Sequence, residues 1–76
     1  MPNSTAYWVA PNGKTIDVGT NTHIKYIIDN PKTFGITKKY IDDKYKKHDE
    51  PVGIEGEARG EVMTDLMKKG WLRIRH

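Results

Sequence analysis

A single residue of register at the chain's opening turn decides which side chains its first two strands can bury. The dipeptide Asn12-Gly13 sits between two short β-favouring runs, Ala6-Tyr7-Trp8-Val9-Ala10 and Thr15-Ile16-Asp17-Val18. Asn-Gly in that setting is the strongest short hairpin signal, because a type I′ turn needs positive φ at both central residues. With Asn12-Gly13 as a two-residue turn, Val9 lies opposite Ile16 and Tyr7 opposite Val18, and those four share one face. Trp8, Ala10, Thr15 and Asp17 share the other. A slip of one residue would exchange the faces.

Beyond the hairpin the apolar spacing becomes helical. Thr22 can cap a short helix over 23–30, with Ile24, Ile27 and Ile28 at i, i+3, i+4. Pro31 ends it, since the residue before proline avoids the α region. Phe34 plugs the core from the connection and Gly35 marks a turn. Thr37 caps a second helix over 38–48, whose narrow stripe is Tyr40, Ile41 and Tyr45. A third helix over 55–69 repeats Ala58, Val62 and Leu66, with Met63 and Met67 alongside. Its acids come early and its bases late, as the helix dipole favours. Gly70 suits the left-handed position after its end. Glycine costs about 1 kcal/mol against alanine inside a helix. Gly56 is therefore expected before the regular helix, and Gly60 at a close contact with another backbone.

In Trp71-Leu72-Arg73-Ile74-Arg75-His76, Leu72 and Ile74 alternate with polar or aromatic residues, the pattern of a half-buried strand. Its only available partner is the hairpin. The expected fold is α+β, ordered ββαααβ. A three-stranded antiparallel sheet, made by the N-terminal hairpin and the C-terminal strand, carries three helices on one face. Tyr7, Val9, Ile16, Val18, Leu72 and Ile74 would lie beneath the helices.

Seventy-six residues make one domain, placed at 6–76 after a disordered polar tail at 1–5. The chain has no cysteine, which excludes disulfides, thiol nucleophiles and cysteine-based zinc sites and fits a reducing compartment. No apolar run approaches the ~20 residues of a membrane span, and the first residues lack the pattern of a secretory signal. A cytoplasmic location is the expectation. The net charge of +3 permits an acidic partner without requiring one.

Strand parity gives the sharpest functional expectation. Trp8, Trp71, Arg73 and Arg75 would share the solvent face of the sheet, a platform for a protein partner, a second copy, or stacked bases. The plainer alternative is that the two indoles cover each other. Lys38, Lys39, Lys44, Lys46 and Lys47 form a second candidate, able to track phosphates on a nucleic acid. Asp42, Asp43, Asp49 and Glu50 lie among them and lower the local field. His23 is the faint handle for a general base. No histidine spacing suits a metal, and the glycine-rich run 53–60 lacks Gly-Lys-Ser/Thr and is too acidic to cradle phosphate. No metal or cofactor is expected.

The Trp8-Val9-Ala10-Pro11-Asn12-Gly13 hairpin, the Thr22-His23 helix start and the closing Gly70-Trp71-Leu72-Arg73-Ile74-Arg75 resemble small uncharacterised phage and prophage proteins. Those begin with a Trp-x-x-Pro-x-Gly hairpin and finish with Gly-Trp-x-Arg. The likeness covers both ends and leaves the middle unmatched. It implies a viral or prophage origin and expression in a host cytoplasm, and it implies no activity. The resulting expectation is a small non-enzymatic binding or accessory protein acting through the Trp/Arg face. Single-stranded nucleic-acid binding is the first alternative, and a small enzyme using His23 the last.

Overall fold

The computed structural model describes residues 6–19 and 21–75. The tail expected at 1–5 and the terminal His76 lie outside them. The elements are β1 (Ala6–Val9), β2 (Thr15–Gly19), α1 (His23–Asp29), a 3-10 turn (Pro31–Phe34), α2 (Lys38–Lys47), α3 (Glu57–Lys68) and β3 (Leu72–Ile74). The strands form one antiparallel sheet in the order β2-β1-β3. The fold is the small α+β arrangement ββαααβ. Among the described residues, no helix is long and apolar enough to cross a membrane.

The hairpin register differs by one residue from the one expected. Val9 pairs with Thr15, Trp8 with Ile16 and Tyr7 with Asp17. The cause is Pro11. Its ring fixes φ near −65°, which suits the second position of a type I turn. The turn therefore closes between Ala10 and Gly13, whose N–H donates to the Ala10 carbonyl at 2.8 Å. Gly13 follows in the left-handed region at φ 88°. The loop is three residues, a turn plus a bulge, and not the two-residue type. Ala6 pairs with Gly19, so Val18 is the extra residue of a second bulge.

That one-residue difference turns β1 over. Trp8 is fully buried, at 0 % exposure, and Ile16 opposite it packs against the core. Tyr7 and Val9 go to the opposite face. The same inversion reaches β3, because Tyr7 pairs with Ile74 and Val9 with Leu72. Of the six residues expected beneath the helices, Ile16 and Val18 pack with the core. Tyr7, Val9, Leu72 and Ile74 face away.

Trp71 is also buried, at 7 % exposure. Its direction is set by the end of α3 before the strand begins. The Gly70 N–H donates to the Met67 carbonyl and the Trp71 N–H to the Leu66 carbonyl, each at 3.0 Å. Those two bonds make a Schellman cap, with Gly70 at φ 103°. Trp8, Phe34 and Trp71 then meet in the core. Their ring centroids lie 5.5 Å (Trp8–Phe34), 6.3 Å (Trp8–Trp71) and 4.6 Å (Phe34–Trp71) apart. Tilted and edge-on aromatic pairs at such distances add about 0.5–1.5 kcal/mol beyond area burial.

The helices follow their sequence signals closely. Thr22 and Thr37 accept from the N–H groups of Lys25 and Tyr40, each at 3.1 Å, as N-caps. Ile24 and Ile27 of α1, Ile41 and Tyr45 of α2, and Ala58, Val62, Met63 and Leu66 of α3 are buried with Phe34. The start of α3 is capped from a distance. Glu50 accepts from the N–H groups of Glu57 at 3.2 Å and Ala58 at 2.9 Å. Gly56 sits just before the helix, as expected. Gly60 does not mark a close backbone contact, since a Cβ there would meet nothing within 4 Å.

Candidate functional site

The platform expected from Trp8, Trp71, Arg73 and Arg75 does not form, because both indoles are enclosed in the core. Arg73, paired with Trp8, lies half-buried at the margin of the helix-covered side, and Arg75 is exposed just beyond β3. The side of the sheet away from the helices instead carries Val9, Leu72 and Ile74, with Tyr7, Thr15 and Asp17 completing the face. Leu72 is 56 % exposed, the most exposed large apolar residue among those described. β3 is also an edge strand, so its outer main-chain groups are not used by the sheet ladder.

Where β1, β3 and α1 meet, His23 opens α1 with its ring 7 % exposed. Its Nε2 lies 2.9 Å from the Ile74 carbonyl and 3.3 Å from the Tyr7 carbonyl. Two carbonyl acceptors place the proton on Nε2. The ring stands edge-on to Trp8 at 5.4 Å between centroids. Burial lowers its pKa below 6.5, and Arg73 and Arg75 push the same way; the two carbonyls oppose them and do not win. The ring is committed to holding main chain, which does not suit the general base expected of it.

The lysines of α2 are largely matched. Lys38 pairs with Asp42 at 3.6 Å and Lys39 with Asp43 at 2.8 Å, both one helical turn on. Lys44 lies 3.2 Å from Glu61 and 3.3 Å from Asp65 of α3, and Lys47 3.7 Å from Glu61. Lys46 is the member of the set with no ion pair among the described residues. Cations already neutralised this way release few counterions from a polyphosphate.

These contacts belong to a polar ladder between two antiparallel helices. Tyr40, Lys44 and His48 recur every four residues on one side, and Glu57, Glu61 and Asp65 on the other. The Tyr40 hydroxyl donates to Asp65. His48 meets Glu57 at 3.2 Å through Nδ1 and Glu61 at 2.5 Å through Nε2. The Tyr40 bond, followed by Lys44, holds Asp65 below the usual carboxylate range. His48 and then Lys44 do the same for Glu61. Burial and Asp65 push the Tyr40 hydroxyl well up. Beside the ladder runs a shallow groove of about 620 Å³, lined by Lys47, Gly60, Thr64 and Lys68 with the three acids. Among the described residues, no group of three or more histidine or acidic side chains could hold a metal ion.

Sequence reasoning missed the apolar outer face, the His23 junction and the ladder. The matched four-residue spacings on α2 and α3 were the readable signal for the ladder. The other two depend on register. Compared with known proteins, the chain matches no family model, no curated protein and no solved structure.

Proposed function

We propose that the protein is a non-enzymatic binding module that takes a protein partner along β3, on the outer face and open edge of the sheet. The observation that carries this reading is the exposure of Leu72, at 56 %, on a sheet face that Val9 and Ile74 extend. An apolar sheet face beside an open edge is the setting for strand addition. Main-chain bonds there supply affinity, and alternate side chains supply specificity. Arg73 and Arg75 flank that edge, and the net charge is +3. The complementary partner is an extended segment alternating apolar and acidic residues, the acids meeting the arginines and the apolar side chains meeting Leu72 and Ile74. The likeness of the chain's two ends to small phage proteins fits an accessory role of this kind. The paired lysines of α2 give the nucleic-acid reading no comparable support.

The probe is a blocked peptide alternating valine with glutamate, compared with its lysine counterpart and followed by amide chemical shifts. The acidic peptide should move the Arg73 and Ile74 amides, and Leu72→Ser should weaken the effect. Equal shifts from both peptides, or none from either, would reject the reading. A dimer in sedimentation whose contacts map to Leu72 would replace the foreign partner with a second copy.

A further inference from the structure

We propose that His23 is an acid-sensitive latch, which fastens β3 to the body of the protein when neutral and lets the strand go when a second proton arrives. β3 is only three residues long and pairs with one neighbour, so its hold on the sheet is slight. His23 adds a tie from α1, through Nε2 to the Ile74 carbonyl at 2.9 Å and the Tyr7 carbonyl at 3.3 Å. One ring thus joins the first helix to the central strand and to the last.

The surroundings of the ring make a second proton unwelcome. β1 offers it the Tyr7 carbonyl and the Trp8 indole, and β3 offers the Ile74 carbonyl with Arg73 and Arg75. Among the described residues, the charged groups bearing on it are thus two guanidiniums. Its place at the first residue of α1 adds the positive end of the helix dipole. The carbonyls would hold a charged ring more tightly, but desolvation outweighs them, and the ring's pKa falls below 6.5.

A group that binds protons more weakly when latched than when free favours release on acidification. The latch is therefore fully set above pH 6.5 and loosens as the pH falls from there toward the ring's own lowered value. Each unit of lowering multiplies the released-to-latched ratio by about ten. This goes beyond the binding reading and is measured on the protein alone. If both hold, the docking strand is withdrawn in acid.

Native-state amide exchange at about pH 7.5 and about pH 5, corrected for intrinsic rates, tests it. The Leu72 and Ile74 amides, which face β1, should open severalfold more often at the lower pH while buried α3 amides hold. His23→Gln keeps a donor near Nε2 and cannot titrate, so the response should vanish. If that variant does not fold, Arg75→Gln serves, and the rise should shrink because one repelling charge is gone. The proposal is overturned if β3 protection does not change. It is also overturned if α3 amides open equally, or if the variant that folds responds as the parent does.

Discussion

Replacing Gly56 with alanine should destabilise the fold, and the cost should disappear once Glu50 has been removed. The Glu50 carboxylate lies where the new methyl would go, since a Cβ on Gly56 would overlap its oxygens. The backbone itself would accept alanine, because φ of 168° is extended. The side chain of Glu50 can swing aside, but it then loses its bonds to the Glu57 and Ala58 amides. An N-cap is worth about 0.5–2 kcal/mol, and hydrogen bonds to a charged acceptor lie toward the top of that range. One of the two bonds is solvent-exposed, so about 1–2 kcal/mol is the expected loss for Glu50→Ala, and the same for Gly56→Ala. In a domain of this size that lowers Tm by roughly 5–15 °C. The double variant should be no worse than Glu50→Ala alone, giving a coupling of about 1 kcal/mol or more. Urea unfolding of the four proteins measures it. Additive losses would show that the glycine and the carboxylate act separately, and the capping argument would fail.

Trp8→Ala should cost about 3–5 kcal/mol, a large part of what a small domain has, whereas exposed Leu72→Ser should stay within about 0.5 kcal/mol by the same denaturation assay. Comparable losses at the two positions would contradict the observed register. Gly60→Ala should stabilise α3 by about 0.5–1 kcal/mol, because a methyl there meets open space and helix propensity alone decides. Asp65, held below 3.8 by Tyr40 and then Lys44, stabilises the fold above that pH and loses its contribution as the pH falls through its lowered value. Tyr40→Phe removes the first cause, so its stability should fall less steeply between about pH 5 and about pH 2. An unchanged acid slope would exclude that bond as the source.

Much of the local structure was legible because its causes are local. Thr22 and Thr37 announced helix starts through side chains that bond amides three residues on, and Gly70 announced an end through its left-handed backbone. Ile41, Tyr45, Val62 and Leu66 fell on the buried faces that helical spacing assigned them. The lysines of α2 and the interspersed Asp42 and Asp43 were visible, but the partners of Lys44 and Lys47 on α3 lie fourteen or more residues away in sequence, so that part of the neutralisation was not.

The amino-acid sequence alone determined the kinds of element, their order and the helix caps, since each depends on contacts a few residues apart. Tertiary structure decided which face of β1 and β3 is buried, and therefore where any partner can sit. The physical reason is that Pro11 lengthens the turn by one residue, and a strand with a two-residue period converts that one residue into a complete exchange of faces. Local propensity scores Asn12-Gly13 well in either turn. Pro11 favours the longer one, and enclosing Trp8 with Phe34 and Trp71 rewards the same register.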